Sequence, residues 1–429
     1  MAEEEHLPSA PGKAKSLWRS ADYVGWWSGN TISALGTSVA AISYPLLLLH
    51  DTGSVAQASF AGSLNLLGVL VTTLWGGALA DRVSRKAILV AGPLAQSLVL
   101  AVITVMVHAE RAHVALVVGA SLLSGLMTGV TLGASTPALR RIVPKEQLPS
   151  ANGQAMGRDM AAQLLGAPLG GMLFSVARWL PFAADAVSYL FASLGALLIR
   201  RPLGPDRGTE ERQGSTMVQE VAAGLRFVRH QPFLRDVVLL AAVLNMVAAA
   251  FALLLVALVK YRGGDPTEIG VVTAMTMVGG VAGAILAPVL AARIRPRSLV
   301  HIAMWVFTVA FAATAIVPEL WQIAVVVCLA HLSVVPINVV LQSYVIQLVP
   351  DAFTGRVAAV NRFGAYALEW VGPLLAGMLA ALLGVAGAVA ALVVVMFPVA
   401  LALHFSRGLD VLGAPLDRVD ELSGEPVTK

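Results

Sequence analysis

Four charged side chains interrupt two long apolar runs of this sequence, and their chemistry is that of proton transfer and ion pairing. Arg158 and Asp159 lie in one run, and Arg362 and Glu369 lie in the other. At the centre of a membrane-crossing helix a charge costs about 2.5–3.5 kcal/mol on insertion scales, so each one requires a function or a partner. Because a membrane carboxylate can bind a proton on one side and release it on the other, Asp159 and Glu369 are candidate proton-coupling residues.

In a second interpretation, these four residues form ion pairs that open and close a pathway through the protein and take no part in proton transfer. Neighbouring residues on a helix point about 100° apart, so we expect Arg158 to be a poor direct partner for Asp159. A further acid, Asp185, is expected in the first turn of the sixth apolar run, where the helix dipole favours a negative charge. We therefore assign Asp185 a structural role.

The composition indicates which elements position these residues. Of the 429 residues 57% are hydrophobic and only 13% are charged, with a mean hydropathy of +0.79. Soluble domains carry about 25% charged residues, so this composition excludes a soluble globular enzyme, a disordered protein and a nucleic-acid-binding protein. At about 20 apolar residues per span the chain accommodates twelve membrane helices.

We therefore predict an all-α integral membrane fold with 12 transmembrane helices in two pseudo-symmetric six-helix halves. The predicted spans are 23–49, 55–80, 86–108, 112–137, 152–176, 180–199, 236–260, 267–293, 298–318, 321–347, 355–382 and 384–405. The predicted domains are an N-terminal tail (1–22), a first half (23–199), a central loop (200–235), a second half (236–405) and a C-terminal tail (406–429). The loop ends in the segment TMVQEVAAGLRFVRHQPFLR, whose pattern predicts an amphipathic helix on the membrane surface.

The distribution of basic residues predicts the orientation. All but six of the 29 lysines and arginines fall on the side of the N-terminus. The exceptions are Arg111, Arg178, Lys260 and Arg262 on the opposite side, and Arg158 and Arg362 within spans. Because basic residues accumulate on the cytoplasmic side, we predict cytoplasmic termini. A bias towards Ala, Gly, Val and Arg indicates a bacterial source, and hence a multi-pass protein of the bacterial plasma (inner) membrane.

The chain also contains an internal repeat. Residues 142–173 align without a gap onto 348–379, an offset of 206 that matches Gly166 with Gly372 and Gly171 with Gly377. Span five thus corresponds to span eleven, and each half carries one carboxylate on the equivalent face. Two parallel halves with a site between them are typical of secondary transporters. The alternative is an old duplication that has been retained only for packing.

The stretch between spans two and three is Gly76-Gly77-Ala78-Leu79-Ala80-Asp81-Arg82-Val83-Ser84-Arg85-Lys86. It resembles the signature loop of the major facilitator superfamily, G-x-x-x-D-R-x-x-R-[KR], and the resemblance covers residues 17–407. It implies a latch in which Gly77 permits close helix approach and Asp81, Arg82 and Arg85 hold the cytoplasmic ends of the halves together. In a simpler interpretation the basic residues only enforce topology.

Three further stretches are similar to the drug:proton antiporter branch that includes macrolide-efflux and enterobactin-export proteins. They are TISALGTSVAAISYPLLLLHDTGS, FAADAVSYL and EVAAGLRFVRHQPFLR. Span five carries GAPLGG, which is similar to the G-P-x-x-G-G motif of exporters except that Pro168 comes one position late.

The resemblance implies that spans one, four, seven and ten line a central cavity. Their polar residues are Asn30, Ser33, Thr37 and Tyr44, then Ser121, Ser124, Thr128 and Thr131, then Asn245, and finally His331, Asn338 and Gln342. Neutral polar groups among Leu, Val and Met suit a bulky, amphipathic or mostly uncharged molecule. Small polar residues also serve helix packing, and a single histidine is often only hydrogen-bonded in the interior, so both readings of these stripes remain open.

These observations predict a proton-coupled exporter of a drug-like or natural-product small molecule, working by alternating access. The proton gradient is the expected energy source, with no cofactor, no metal and no nucleic acid. The expected partners are a small amphipathic organic substrate and the lipid bilayer, and the protein is expected to be a monomer. Alternatives are an importer or a lipid or siderophore carrier of the same fold, or a non-transporting sensor or scaffold. The sequence carries no hydrolase, zinc-protease or phosphate-loop motif, so we predict that it is not an enzyme.

Overall fold

The computed structural model describes residues 16–201, 203–204 and 217–414, and this part of the chain is helical with no β-strand. Side chains that cap the first turns define several helix starts. Ser20 accepts a hydrogen bond from the backbone N–H of Tyr23, and Asp265 and Glu268 form a reciprocal capping box.

Six long helices form the first half: α1 (Ala21–Thr52), α2 (Val55–Arg82), α3 (Arg85–His108), α4 (Val114–Ile142), α5 (Leu148–Val176) and α6 (Leu180–Leu197). The amphipathic helix α7 (Met217–His230) connects it to the second half. The second half contains α8 (Pro232–Tyr261), α9 (Pro266–Arg293), α10 (Pro296–Ile316), α11 (Leu320–Leu348), α12 (Asp351–Tyr366) and α13 (Val371–Phe405).

Ten segments of the described chain are long and apolar enough to cross a membrane. One of them, Phe353–Phe405, contains Gly384 in a non-helical, left-handed conformation (φ 71°) and is thereby divided into two crossings. The more polar α5 is not among the ten, but it packs within the bundle against α1 and α9. The arrangement agrees with the all-helical fold of twelve spans.

The prediction of span eleven as one continuous helix was wrong. Between α12 and α13 the backbone forms turns with hydrogen bonds three residues apart, from Glu369 N–H to Tyr366 O and from Gly372 N–H to Glu369 O. Pro373 lacks the N–H that a regular helix would donate to Glu369 O. The break therefore coincides with the carboxylate of this span.

We call the end of the bundle where α1 begins the basal end, and the end where α1 finishes the apical end. Within the described residues, two side-chain hydrogen bonds join the halves, and both are apical. Lys260 Nζ donates to Leu49 O at 2.6 Å, and Thr267 Oγ1 donates to Ser175 Oγ at 3.5 Å. Close α5–α9 packing, with Gly171 against Pro266, reinforces this contact. The halves are therefore tied together at the apical end.

The segment predicted as an amphipathic surface helix is α7, which is helical as expected. One side of it packs on α12, where Phe227 stacks on Phe353 with ring centroids 4.6 Å apart. Its opposite side exposes Leu225, Arg226 and Arg229. The helix thus covers the start of α12 as well as presenting a basic face.

Parts of several predictions lie outside the described residues. These parts are residues 1–15 and 415–429 of the predicted tails and residues 202 and 205–216 of the central loop. In the predicted latch, the side chains of Asp81 and Arg82 and the surroundings of Gly77 are likewise outside the described set. Arg85, the remaining latch residue, is buried at the start of α3, and its backbone N–H donates to Leu203 O.

Candidate functional site

A central cavity of about 660 Å³ lies between the two halves, in the middle and apical part of the bundle. Residues of α1, α2, α4 and α5 form one wall, and residues of α8, α9 and the α12–α13 region form the other. The polar lining consists of Thr37, Ser38, Tyr44, Asn65, Ser121, Gln163, Thr273, Thr276 and Glu369. Glu369 is the charged member of this lining, and the rest of the wall is apolar.

A second cavity of about 540 Å³ lies within the second half, between α8, α10, α11 and α12. It extends from Phe251 and Phe311 in the interior to Val349 and Thr354 near the basal end. Its polar lining comprises Asn245, His331, Asn338, Gln342, Thr354, Asn361, Arg362 and Tyr366. Arg362 is the charged member of this lining.

The four predicted residues of spans seven and ten therefore line one cavity, although it lies inside the second half. Asn245 donates to Ala365 O at 3.1 Å, and His331 Nδ1 lies 3.0 Å from Val327 O of its own helix. Asn338 and Gln342 follow on the same face of α11. Their role in binding a substrate stays a prediction.

The predicted residues of spans one and four divide between the cavity and helix packing. Thr37, Tyr44 and Ser121 line the central cavity, whereas Ser33 is buried and Asn30 donates to Trp26 O of its own helix. On α4, Gln96 from α3 donates to the Thr128 hydroxyl at 2.9 Å and to Ser124 O at 3.2 Å. Thr131 lies against Gly92 of α3. Three of the four residues in the α4 stripe thus pack against α3.

The expectation that Arg158 would be a poor direct partner for Asp159 was wrong. Arg158 Nη2 lies 2.8 Å from Asp159 Oδ1, and Nε donates to the same oxygen at 2.9 Å. The arginine side chain is long enough to curl back around the helix, and its guanidinium lies 5.7 Å from the Trp26 ring centroid. The pair therefore lies at the α1–α5 contact and does not bridge the two halves.

Glu369 and Arg362 differ from that pair. Within the described part of the chain, neither side chain has an ion-pair partner, and they line different cavities. Glu369 lies in the turn where span eleven is broken and lines the central cavity, whose opposite wall includes Gln163 of α5. The two carboxylates lie on equivalent faces of the repeat but one helical turn apart, because the offset of 206 pairs Glu369 with Gln163 and Asp159 with Ala365. Their surroundings differ as well.

The placement of Asp185 in a first helical turn was wrong as well. Helix α6 begins at Leu180, so Asp185 lies in its second turn, and its side chain is only 3% exposed. Its Oδ1 accepts hydrogen bonds from Ser188 Oγ at 3.1 Å and Thr37 Oγ1 at 3.4 Å. The dipole at the start of the helix is not what stabilises this acid.

The sequence matches the Major Facilitator Superfamily over residues 26–263 and 237–420, nearly its whole length. The chain belongs to this superfamily. The Major Facilitator Superfamily consists of membrane transporters, so the resemblance inferred from the Gly76–Lys86 loop is confirmed. The transporter fold with two halves follows from the same match and from the helical architecture.

Curated relatives refine this assignment. The chain is 27% identical to the multidrug efflux pump Tap of Mycolicibacterium fortuitum, over 89% of this chain and 95% of Tap. It is 27% identical to the enterobactin exporter EntS of Escherichia coli O1:K1 / APEC, over 90% of this chain and 88% of EntS. It is 22% identical to the macrolide efflux protein A of Streptococcus pyogenes, over 78% of this chain and 83% of that protein. The similarity to macrolide-efflux and enterobactin-export proteins is confirmed.

A solved structure supports the fold independently. The crystal structure of a bacterial homologue of the iron transporter ferroportin in the inward-facing state has a TM-score of 0.69. The alignment covers 91% of this chain and 99% of that chain at 17% identity, so it concerns the fold alone.

Several lining residues of this Major Facilitator Superfamily member were not anticipated from its sequence. They are Asn65 in α2, Thr273 and Thr276 in α9, and Asn361 and Tyr366 in α12. A polar residue inside an apolar run was the available signal for Asn65. For Asp185 the same signal was present, but its surroundings depend on α1, which lies far away in the sequence.

Proposed function

We propose that this protein is a proton-coupled exporter that moves small amphipathic organic molecules across the bacterial plasma membrane by alternating access. The observation that carries this proposal is the central cavity, which lies between the halves and has apolar walls, neutral polar groups and one carboxylate. Relatives that align over most of the chain are efflux proteins for drugs, macrolides and a siderophore. The protein acts as a monomer, without a cofactor, and the proton gradient supplies the energy.

The size and lining of the cavity support this substrate class. Pockets for drug-sized ligands usually have volumes of about 300–1,000 Å³ and mostly apolar walls with a few polar groups. The central cavity of about 660 Å³ falls within this range. Because Glu369 is its charged lining residue, an amphiphile with a positive charge gains an electrostatic attraction that a neutral one lacks.

The orientation proposed from the basic residues makes the basal end cytoplasmic. The apical contacts between Lys260 and Leu49 and between Thr267 and Ser175 then close the extracellular side. The second cavity reaches basal residues such as Val349 and Thr354. We infer that this conformation accepts substrate from the cytoplasm.

Of the two candidate coupling carboxylates, the geometry favours Glu369. Asp159 already has a partner in Arg158, which neutralises it within one helix. Glu369 faces the cavity without an ion-pair partner among the described residues, at a helix break between the halves. Broken helices near the interface of two repeats are a recurring feature of secondary-transporter binding sites. A proton on Glu369 and a cationic substrate would compete for the same carboxylate.

The test is transport in proteoliposomes that contain the purified full chain and an imposed pH gradient. Ethidium serves as a cationic probe and erythromycin as a macrolide probe. We expect gradient-driven ethidium movement in the wild type and in Asp159→Asn, and movement at the level of empty liposomes in Glu369→Gln. The two variants are a matched pair, because each replaces one carboxylate of the repeat by its amide.

Loss of transport on collapsing the pH gradient supports proton coupling. Transport of both probes that persists without any ion gradient contradicts it. Movement only in the direction opposite to export assigns the protein to uptake and overturns the proposed direction.

A further inference from the structure

The carboxylate of Asp185 is buried in the first half, and among the described residues it has no cationic partner. Three charged side chains among the described residues are buried: Asp22, Arg85 and Asp185. Asp22 has Arg201 at 3.7 Å and accepts a hydrogen bond from the Arg200 backbone, and Arg85 also has interaction partners. For Asp185, hydroxyl groups are the partners that the described chain provides. Burying an isolated carboxylate in this way costs free energy unless it is paired or protonated.

The elements around Asp185 present polar but uncharged groups. Helix α1 contributes Thr37 and the ionisable Tyr44, and α6 itself contributes Ser188 and the ionisable Tyr189. The α3 and α4 groups nearby are neutral: Ser97 donates to Ala186 O at 2.7 Å, and Gln96 donates to Thr128. The charged pair of α5, Arg158 and Asp159, is engaged in its own contact at the α1–α5 crossing.

A hydroxyl group connects this carboxylate to the central cavity. Thr37 is exposed and lines that cavity, while its Oγ1 lies 3.4 Å from Asp185 Oδ1 and 3.0 Å from the Tyr189 hydroxyl. The helices approach closely at this point, because a Cβ on Gly36 would lie 2.9 Å from Asp185 Oδ1 and would overlap Ser188. Asp185 is thus one hydroxyl group away from the cavity, although it is shielded from bulk solvent.

We propose that Asp185 is a proton-binding residue of the transport cycle, exchanging its proton with the central cavity through the Thr37 hydroxyl. The proposal rests on the proposed function, because it adds a second proton site to the one considered at Glu369. In the ionised state the carboxylate accepts from Thr37 and Ser188. On protonation one Asp185 oxygen becomes a donor, so the Thr37 hydroxyl reorients in the wall of the substrate cavity.

This geometry provides a way for the proton to influence the substrate. Thr37 is both a partner of Asp185 and a lining residue. When Asp185 is ionised, the Thr37 hydroxyl donates to it and presents an acceptor to the cavity. When Asp185 is protonated, the Thr37 hydroxyl accepts from it and presents a donor to the cavity. A substrate that hydrogen-bonds Thr37 therefore binds differently before and after Asp185 takes up its proton.

The first experiment needs no substrate. Infrared difference spectra of the full chain in lipid, recorded over a pH titration, report the carbonyl stretch of protonated carboxylic acids. We expect one such band to be lost in Asp185→Asn and a different one in Glu369→Gln. The matched control is Ser97→Ala, which removes a buried hydrogen bond at the same helix contact without touching the carboxylate. We expect it to retain both bands.

A second variant keeps the carboxylate and removes only the connecting hydroxyl group. In Thr37→Val the Asp185 band is expected to remain, while its exchange in heavy water becomes slower than in the wild type. Unchanged exchange overturns the proposed route. A titration in which Asp185→Asn removes no band overturns the proposal as a whole. If Asp185→Asn is not inserted into the membrane, the exchange rate in Thr37→Val is the test of the proposal.

Transport separates this inference from the proposed function. In proteoliposomes we expect Asp185→Asn to lose pH-driven ethidium movement while it still exchanges ethidium for ethidium, because an amide preserves the hydrogen bonds but not the proton. If the wild type shows no gradient-driven movement, the proposed function fails. If the wild type moves ethidium and Asp185→Asn does so equally well, only the role of Asp185 fails.

Discussion

The two halves share a fold but handle their internal charges differently. In the first half, α5 is a continuous helix whose Asp159 is paired with Arg158, and Asp185 is enclosed by hydroxyl groups. In the second half, the equivalent of α5 is broken between α12 and α13, and Glu369 faces a cavity at the break. The duplication thus preserved the helical scaffold, while the carboxylates diverged: those of the first half have an arginine or hydroxyl groups as partners, and Glu369 of the second half faces a cavity.

The sixth span of each half shows the same divergence. The buried face of α6 carries Asp185 and Ser188, whereas the buried face of α13 beyond Gly384 is apolar, with Val389, Leu392 and Met396. Polar chemistry in the interior of this span is therefore a property of the first half alone. Helix packing, by contrast, is alike in both halves, since α2 packs closely on α4 and α9 packs closely on α11.

The largest effect is expected where glycines let two helices touch. A Cβ on Gly125 of α4 would overlap Asn65 O of α2, and a Cβ on Gly279 of α9 would overlap Cys328 O of α11. Gly125→Leu and Gly279→Leu should each destabilise the fold by about 3 kcal/mol or more, because neither backbone can yield to the added side chain. Melting temperature and yield of folded protein in detergent measure this loss.

Matched controls lie on the same helices. Gly119 of α4 and Gly280 of α9 have no atoms within 4 Å of an added Cβ, so Gly119→Leu and Gly280→Leu should leave the melting temperature nearly unchanged. Because leucine is a better helix former than glycine, helix propensity alone should not destabilise a control. Equal destabilisation by a control and its partner would therefore contradict the proposed effect of close packing between helices.

The next effect concerns the broken helix of the second half. Pro373→Ala restores the N–H that can donate to Glu369 O, so residues 367–371 should become more regularly helical, as in α5. One added hydrogen bond contributes about 1 kcal/mol, which corresponds to amide exchange slowed by about fivefold in this segment. Hydrogen-exchange mass spectrometry measures this, with Pro168→Ala in the unbroken α5 as the control. Unchanged exchange would mean that the break has another cause.

The sequence predicted the scaffold far better than the surroundings of its charges. Long apolar runs are local signals, so the helices α3 (Arg85–His108) and α6 (Leu180–Leu197) begin within one residue of the predicted spans. The break at Glu369 and the environment of Asp185 depend on tertiary contacts. Asp185 meets Thr37, 148 positions away in sequence, only because Gly36 allows α1 and α6 to approach. The periodicity of one helix carries no information about such a contact.

A smaller effect is expected at the apical contact between the halves. Lys260 of α8 donates to Leu49 O at the end of α1, so Lys260→Met removes one charged hydrogen bond, worth about 1 kcal/mol at this half-buried position. The equilibrium constant between the apically closed and open states should shift by about fivefold towards the open state. Crosslinking of Ser175→Cys with Thr267→Cys, in a Cys328→Ser background, reports the closed state, because these hydroxyls are 3.5 Å apart.

Arg262→Met is the control for that contact. Arg262 also lies at the apical end, but it donates to Val317 O and Ala315 O within its own half. We expect it to leave the crosslinking rate unchanged. An equal decrease in both variants would attribute the effect to loss of positive charge at this end and not to the contact between the halves.

The smallest effect is expected at the ion pair of the first half, where the two carboxylates of the repeat can be compared directly. Arg158→Gln removes a partner of the half-exposed Asp159 and a contact with the Trp26 ring. Partly exposed ion pairs contribute about 0–1 kcal/mol, so the melting temperature should fall only slightly and gradient-driven ethidium transport should persist. Transport abolished in folded Arg158→Gln would place the pair in the transport cycle. The charge of Asp159 would then be as important as that of Glu369, and the two halves would differ less in function than they do in structure.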